Sequence, residues 1–430
     1  MKQLSIEIHP EEIRNKLLNY SQQFETCFFY DSNADVNSTT KLSYRSYDIL
    51  LALGVKSTVP FKNGQHFNEL QAFQNAHQTW LFGYLSYDLK NEIEDLSSQN
   101  SDVLSLPQAQ FIEPQIVITI KGSKMEVMAM DDKMQPQAIS EIIQQQSAHI
   151  DEFYPSSTIH HKTSKESYFN AFEQFQQQIA YGNIYEVNYC IAFETEVNHF
   201  NYIGLYTALN KISKAPFSAY VKVNHTVIIS ASPERFLKKE GTKLISQPIK
   251  GTAKRGQNAD EDEEQKEKLL HNAKERSENV MITDLVRNDL SKHAARNSVK
   301  VEELFGIYSF KQVHQMISTV TANLSKESNY INAIKDAFPM GSMTGAPKIM
   351  AMKLIEQHEQ MRRGLYSGAL GYIDANNNYD FNVLIRSIII NQATKKAQFC
   401  VGSAITANAN AEDEYQECLL KANALFKVLS

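Results

Sequence analysis

Cysteine is scarce in this chain, and its spacing excludes several kinds of site. The 430 residues include four cysteines, Cys27, Cys190, Cys400 and Cys418. No two of them form a Cys-x-x-Cys pair, so neither a zinc site nor a disulfide framework is expected. None lies in a Gly-x-Cys-x-Gly elbow, so the sequence shows no sign of a thiol glutaminase of its own.

Long apolar runs and an excess of positive charge are also lacking. No stretch approaches the roughly 18 apolar residues of a membrane span. The opening residues 1–8 include the acidic Glu7, where a secretory leader needs an unbroken apolar core. The net charge of −6 at pH 7 argues against a nucleic-acid or anionic-membrane partner. We therefore expect a cytoplasmic protein.

Apolar residues are plentiful, at 42% of the chain, and they predict a large core. Residues 1–150 alternate short apolar runs with turn-rich segments, which indicates strands. The strands predicted there are Phe28–Tyr30, Trp80–Leu85 and Gln115–Ile120. A polar segment that ends near Thr163 is interpreted as the connection to a second region, residues 160–430.

The second region mixes helices with strand pairs. Apolar residues at helical spacing predict helices over Tyr168–Ile179, Glu264–Asp289 and Glu412–Val428. Residues 217–223 and 226–229 predict a strand pair around an Asn-His turn, and the charged residues 257–268 indicate a solvated helix start rather than a binding patch. Since no regular βαβ order is visible, the predicted fold class is α+β with antiparallel sheet.

Four acidic residues occur in two pairs at helical spacing. Glu275 and Glu278 stand three residues apart, as do Glu414 and Glu417, so each pair lies on one face of its predicted helix. Two such faces brought together would form an oxygen-rich site suited to magnesium, which binds carboxylates, water and substrate oxygens. Surface helices also carry such pairs for solubility alone, so the spacing leaves both interpretations open.

One lysine lies in a short segment between a strand and a turn, residues 247–252. Lys250 stands between Pro-Ile and Gly-Thr, where it need not extend into solvent as lysines usually do. A desolvated lysine, or one beside cations, loses its proton more readily and can act as a nucleophile or base. The alternative is an ordinary surface lysine in a turn.

A glycine-containing turn, residues 339–348, precedes a predicted helix over Ile349–Gln357. Backbone N–H groups at a helix start attract anions. The phosphate-loop spacing nevertheless fails, because Ala346 and Pro347 separate Gly345 from the lysine that follows. We interpret the segment as a turn that binds a carboxylate or shapes a substrate pocket.

Several further segments occur in the same order and spacing as in a known enzyme family. Over roughly residues 165–425 the chain resembles the chorismate-utilising enzymes, and within them the aminodeoxychorismate synthase branch. The matching segments are Ala231–Phe236, Pro248–Thr252, Glu278–Leu290, Val313-His314, Phe338–Lys348, Tyr366–Tyr372, Ile385–Ser387 and Glu414–Glu417. In residues 1–150 the match depends mainly on Gly83–Leu89.

The resemblance implies one α+β body in which two stacked antiparallel β-sheets are flanked by helices. This body would consist of an N-terminal lobe, residues 1–150, and a chorismate-binding region, residues 160–430. It also implies that Glu278 and Glu417 bind Mg²⁺, and that Glu275 and Glu414 bind the ion or hold its ligands. The implied substrate-binding residues are Thr252, Thr344, Gly345, Tyr366, Arg386, Gly402 and Lys421.

The residue at position 250 distinguishes members of this family. Anthranilate-type enzymes carry alanine there, whereas aminodeoxychorismate synthases carry lysine, as this chain does. The resemblance implies that the neutral amine of Lys250 attacks C2 of chorismate and that ammonia then attacks C4 and expels it. Glu234, or otherwise His314, would protonate the departing hydroxyl. A lone histidine at such a position is otherwise a hydrogen-bonded core residue.

The implied product is 4-amino-4-deoxychorismate, on the route to 4-aminobenzoate and folate. Ammonia would come from solution or from a separate glutamine amidotransferase subunit, since the chain shows no glutaminase elbow. The alternatives are an anthranilate synthase, an isochorismate or salicylate synthase, and a non-catalytic chorismate-binding subunit. Lys250 argues against the first alternative, and Glu186 argues against the second because their water-activating base is a lysine at that place.

Two positions depart from the family pattern. Glu186 stands where a glutamine is expected in the aminating enzymes. Ser403 and Ala404 follow Gly402 where the family often has three glycines, so we expect a narrower carboxylate pocket.

Overall fold

The computed structural model describes residues 2–34, 44–153, 157–197 and 201–430. Its strands are β1 (Lys2–Glu7), β2 (Cys27–Asp31), β3 (Ile49–Leu53), β4 (Ser57–Thr58), β5 (Leu81–Leu85), β6 (Ala109–Glu113), β7 (Ile116–Lys121), β8 (Lys124–Ala129), β9 (His160–His161), β10 (Glu186–Glu196), β11 (Phe217–Val223), β12 (Thr226–Ser232), β13 (Arg235–Glu240), β14 (Lys243–Gln247), β15 (Ile249–Lys254), β16 (Lys300–Ser309), β17 (Val313–Asn323), β18 (Gly345–Ala346), β19 (Ala369–Ile373), β20 (Tyr379–Val383), β21 (Ser387–Asn391) and β22 (Lys396–Thr406).

The helices are α1 (Pro10–Ser21), α2 (His66–His77), α3 (Lys90–Ile93), α4 (Pro136–Gln145), α5 (Lys165–Ala180), α6 (Tyr202–Ser213), α7 (Ala259–His271), α8 (Ala273–Ser291), α9 (Tyr330–Ala337), α10 (Gly341–Thr344), α11 (Lys348–His358) and α12 (Ala411–Leu429). A short 3₁₀ helix spans Tyr87–Leu89. Among the described residues, no helix is both long enough and apolar enough to cross a membrane.

The strands form two antiparallel sheets, as predicted. The first runs in the order β1-β8-β7-β3-β2-β11-β12-β21-β22-β10-β18, with β9 beside β10, and the second runs β15-β17-β14-β13-β20-β19-β5-β6-β4, with β16 beside β17. Strands from early and late in the chain are neighbours in both sheets, since β2 pairs with β11 and β5 pairs with β19. The lobe boundaries at 150 and 160 stay a prediction, although hydrogen bonding within each sheet continues across them.

The alternation of side chains along the strands explains why the sheets stack. In β2, Phe28 packs between the two sheets while Phe29 packs under the helices on the outer face of the first sheet. In β5, Phe82 and Tyr84 face the first sheet, whereas Leu85 faces the outer core of the second sheet. Because successive side chains point to opposite faces, every such strand contributes to two apolar layers. The predicted α+β class with stacked sheets is confirmed.

Two helices lie over different sheets and meet at the site. Helix α8 packs against β15 and β17 of the second sheet, and α12 packs against β22 of the first. The helices predicted over Tyr168–Ile179 and Glu412–Val428 are confirmed as α5 and α12. The single helix predicted over Glu264–Asp289 is wrong, because the chain breaks at Asn272 with ψ 114°. The Asn272 side chain accepts a hydrogen bond from the Glu275 N–H and so begins α8 instead of continuing α7.

Candidate active site

A cavity of about 1330 Å³ opens where α8 and α12 approach each other over the two sheets. Its wall brings together residues from β15, β22 and the loops that precede β13 and β21. The sequence-predicted site residues that line it are Glu234, Lys250, Thr252, Glu275, Glu278, Tyr366, Arg386, Gly402, Glu414, Glu417 and Lys421. Segments separated by more than 160 residues therefore contribute to one site.

The two acidic pairs occupy the first two turns of their helices. Asn272 caps α8 ahead of Glu275, and Asn410 caps α12 by accepting hydrogen bonds from two backbone N–H groups ahead of Glu414. The caps fix where each helix begins, and the helix dipole favours negative charge near that end. The three-residue spacing then points Glu275 and Glu278 into the same cavity as Glu414 and Glu417.

These carboxylates influence one another's protonation. Burial raises the pKa of Glu278 to about 7, although Lys250 opposes the shift. Burial together with the charge of Glu417 raises the pKa of Glu275. The nearby ammonium of Lys421, 2.5 Å away, is the largest influence on Glu417 and lowers its pKa. The site thus concentrates negative charge beyond what its lysines balance.

The donor set fits a magnesium ion. As the side chains stand, no three histidine, cysteine or acidic groups among the described residues surround a single point. Glu278 Oε1 is nevertheless buried without a hydrogen-bond partner in the described structure. The Lys274 ammonium lies between the helices, 2.8 Å from Glu414 and 3.9 Å from Glu278, and balances charge that a cation would otherwise balance. A carboxylate oxygen without a competing hydrogen bond suits Mg²⁺, which prefers oxygen ligands.

Lys250 lies at the base of the cavity and is 9% exposed. Between Ile249 and Thr252 the register of β15 against β17 shifts, and Gly251 adopts a φ of +98°. That bulge needs glycine and turns Lys250 away from the ladder. The lysine is therefore neither a surface residue nor an ordinary strand residue.

The Lys250 ammonium donates a hydrogen bond to Glu186, the first residue of β10. Burial lowers the pKa of Lys250, but Glu186 and Glu278, with a smaller effect from Glu417, outweigh burial and raise it above the ordinary value. The sequence-based expectation of a neutral amine thus does not describe the resting site, where the charged form is favoured. A proton has to leave before Lys250 can act as a nucleophile.

Glu234 is buried beside Lys250 and has the character of an acid. Burial raises its pKa to about 7, while a hydrogen bond from Ser342 and the charge of Lys250 act in the opposite direction. The Ser342 hydroxyl donates to Glu234 Oε1 at 2.6 Å. A carboxyl group with a pKa of about 7 can release a proton at neutral pH and take it back.

Basic groups line another part of the wall. Arg386 precedes β21 with a φ of +52° and donates to the Lys421 carbonyl at 3.1 Å, which ties it to α12. Lys421 Nζ donates to the Gly402 carbonyl at 2.9 Å. A Cβ at Gly402 would lie 2.9 Å from the Tyr189 carbonyl oxygen and 3.3 Å from the Tyr366 hydroxyl. The close packing of these two groups against position 402 therefore requires glycine. The guanidinium, the ammonium and the hydroxyl can together bind a carboxylate.

The triplet Gly402-Ser403-Ala404 narrows this wall less than the sequence suggested. Gly402 and Ala404 line the cavity on the same face of β22. Ser403 faces the opposite side and shares a hydrogen bond of 2.9 Å with the Tyr168 hydroxyl of α5. Only the methyl group of Ala404 reduces the pocket relative to three glycines.

Three predicted site residues are not on the cavity wall. His314 is fully buried, with Nδ1 2.8 Å from the Ser309 hydroxyl and Nε2 2.9 Å from Asp262, so both ring nitrogens have partners. Thr344 is also fully buried and donates to the Met340 carbonyl within its own turn. Gly345 pairs with β10 through its backbone. The turn reaches the cavity through Ser342 and Met343 instead.

Sequence reasoning missed two side chains that face the site. Ser342 belongs to the glycine-containing turn, residues 339–348, but nothing in the neighbouring sequence indicated that its hydroxyl would donate a hydrogen bond to Glu234, 108 positions away. Lys274 directly precedes the first acidic residue of α8, and the alternation of charge there was a usable signal. The Ser342 contact depends on how α10 packs against the loop before β13, and the contact of Lys274 with Glu414 depends on how α8 approaches α12.

Comparisons with known proteins agree with this arrangement. A family profile described as chorismate binding enzyme matches residues 25–427. Aminodeoxychorismate synthase component 1 of Escherichia coli (strain K12) is 34% identical over 354 residues, covering 81% of this chain and 76% of that protein. Anthranilate synthase component 1 of Thermus thermophilus is 31% identical over 356 residues, covering 81% of this chain and 76% of that protein.

The fold also matches solved structures. The menaquinone-specific isochorismate synthase of Escherichia coli superposes with a TM-score of 0.78 at 18% identity, covering 100% of this chain and 94% of that chain. The names of these similar proteins refer to different reactions. The residues of the cavity must therefore indicate which reaction is catalysed here.

Proposed function

The chain belongs to the family of chorismate binding enzymes, and on this premise we propose that it aminates chorismate at C4 to give 4-amino-4-deoxychorismate. The observation that carries the proposal is Lys250, a buried lysine on the cavity wall beside a carboxyl group with a pKa of about 7. A lysine in this place supplies a nucleophile that an alanine would not. The similarity to an aminodeoxychorismate synthase supports the same reaction.

Chorismate carries two carboxylates, and the cavity offers two kinds of partner for them. Arg386, Tyr366 and the region of Gly402 hold one carboxylate by hydrogen bonds and charge. Glu278 and Glu417, helped by Glu275 and Glu414, would hold Mg²⁺. The ion, when bound, neutralises the charge of the second carboxylate and polarises it.

The covalent steps involve Lys250 and Glu234. The Lys250 amine attacks C2 of the ring while the C4 hydroxyl departs as water with a proton from Glu234. Ammonia then attacks C4 and expels Lys250. The proton that the new C4 ammonium releases returns to Glu234, so the net reaction converts chorismate and ammonia into 4-amino-4-deoxychorismate and water.

Ammonia comes from solution or from a separate glutamine amidotransferase subunit. The four cysteines of this chain are all buried, and none stands in a glutaminase elbow. The product supplies 4-aminobenzoate for folate synthesis. A glutamine-dependent reaction would therefore need the second subunit, whereas an ammonium-dependent reaction would not.

Product analysis tests the proposal against its alternatives. The purified chain is incubated with chorismate, Mg²⁺ and an ammonium salt, and the products are separated by chromatography and identified by mass. We expect 4-amino-4-deoxychorismate. Anthranilate, isochorismate or salicylate as the main product would replace the proposed reaction, and magnesium-dependent chorismate binding without turnover would indicate a binding subunit.

A further inference from the structure

Asn188 lies on the wall of the active-site cavity with an unpaired hydrogen-bond donor. It stands opposite Ala404 in the pairing of β10 with β22, and its side chain reaches the cavity although the residue is only 6% exposed. Its Nδ2 is buried and has no hydrogen-bond partner in the described parts of the chain. Leaving a buried N–H without a partner costs free energy, so such groups usually serve a purpose.

The backbone holds Asn188 in place. Its carbonyl accepts a hydrogen bond of 2.7 Å from Arg363 Nη2, and the same guanidinium forms a buried ion pair with Glu359. On the other side, β10 pairs with β22 along its whole length, from Glu186 to Glu196. A donor that is fixed before a ligand arrives loses little conformational entropy when the ligand binds.

The unpaired donor lies beside Gly402, in the proposed carboxylate site. The position that a Cβ of Gly402 would occupy is 3.0 Å from Asn188 Nδ2 and 3.3 Å from the Tyr366 hydroxyl. The amide and the hydroxyl therefore converge on the same small area of the cavity wall. This area stays open because residue 402 has no side chain.

The other polar groups of this wall are partly engaged within the chain. Arg386 uses Nη1 to donate to the Lys421 carbonyl, and Lys421 Nζ donates to the Gly402 carbonyl. A carboxylate has about four acceptor sites for hydrogen bonds. A carboxylate bound here therefore has room for a further N–H donor beside the guanidinium and the hydroxyl.

We infer that the Asn188 amide donates a hydrogen bond to the carboxylate of chorismate that Arg386 binds, an inference that rests on the proposed function. A neutral donor suits this place for an electrostatic reason. Asn188 and Glu186 are two residues apart and so face the same side of β10. A cation at position 188 would compete with Lys250 for Glu186, whereas an amide does not.

The experiment compares two buried asparagines. Asn188→Leu keeps the branched shape of the side chain but removes the donor. The control is Asn391→Leu at the far end of β21, where the amide donates to the Leu104 carbonyl at 2.7 Å and accepts from the Ala393 N–H. For each protein, kcat and KM for chorismate are measured with saturating ammonium and Mg²⁺, and urea unfolding gives the stability.

We expect Asn188→Leu to raise KM for chorismate by about 10- to 100-fold, the usual effect of losing a hydrogen bond to a charged group. Its kcat should change little, because the carboxylate is held alike before and during the reaction. Its stability should be maintained or increased, since Nδ2 has no partner to lose in the described chain. Asn391→Leu should show the reverse, with reduced stability and an unchanged KM.

Two chorismate analogues, each with one carboxylate replaced by hydrogen, identify the group that Asn188 binds. Their inhibition constants are measured with wild type, Asn188→Leu and Arg386→Gln. Both variants should bind one analogue more weakly than wild type does and should bind the other as wild type does. The analogue without effect should be the same for both variants, because the two side chains hold the same carboxylate.

The outcomes separate this inference from the proposed function. An unchanged KM in Asn188→Leu, or equal weakening for both analogues in that variant while Arg386→Gln discriminates between them, would overturn the inference and leave the proposed amination standing. A wild type that neither binds nor converts chorismate would overturn both. Should Asn188→Leu fail to fold, Asn188→Ala removes the same donor with a smaller side chain, and the same outcomes apply to it.

Discussion

Replacing Lys250 tests the buried ion pair between Lys250 and Glu186 through the free energy of unfolding, which can be measured independently of activity. Lys250→Met keeps an unbranched side chain of similar length but removes the ammonium. Glu186 is fully buried and loses its hydrogen-bond partner, so the native protein must bury an unpaired charge or take up a proton. Breaking a buried pair in this way costs about 3–5 kcal/mol.

The cost should depend on pH in a defined direction. Proton uptake by a carboxyl group that titrates near pH 4.3 when unfolded costs about 1.4 kcal/mol for each pH unit above that value. The loss of stability should therefore be roughly 3.7 kcal/mol at pH 7 and only about 1 kcal/mol at pH 5. The variant should recover stability as the pH falls.

Urea unfolding of the wild type, Lys250→Met and the double variant Glu186→Gln/Lys250→Met between pH 5 and pH 7 measures this effect. The difference between Lys250→Met and the double variant Glu186→Gln/Lys250→Met isolates Glu186, because both lack the influence of Lys250 on Glu234 and Glu278. We expect the double variant to be the more stable at pH 7 and the two to converge toward pH 5. A pH-independent difference, or a less stable double variant, would refute the reasoning.

Three further outcomes are expected from the site. Burial raises the pKa of Glu234 to about 7, and an acid must be protonated to act, so kcat should fall as the pH rises through about 7. The Ser342→Ala variant loses a hydrogen bond that lowers the pKa of Glu234, so in this variant the fall in kcat should move to higher pH. A chelator should abolish activity and added Mg²⁺ restore it, whereas Glu278→Gln should stay inactive with Mg²⁺, as measured by product formation. Ala404→Val should raise KM for chorismate at least several-fold because the side chain at position 404 faces the cavity. Ser403→Ala should leave KM unchanged, and the loss of its hydrogen bond to Tyr168 should lower the free energy of unfolding by about 1 kcal/mol.

Local patterns were sufficient for much of the fold. Apolar spacing of three and four residues marked α5 and α12 nearly to their ends, and short apolar runs between turn-rich segments marked β2, β5 and β7. These signals are reliable because helical and strand periodicities are properties of adjacent residues. The ordered motifs from 231 to 417 were likewise sufficient to identify the family. The single helix predicted over Glu264–Asp289 was wrong because an asparagine such as Asn272 can either lie inside a helix or cap the start of a new one, and apolar spacing does not distinguish the two.

The chemistry of individual side chains depended on the tertiary structure. The identity of Lys250 is written in the sequence, but its charge state is set by Glu186, a residue 64 positions away on the other sheet. His314 looked like an acid until its ring nitrogens proved to be bound to Ser309 and Asp262. Burial and the distance between charges set a pKa, and both quantities arise only when strands and helices distant in the chain pack together.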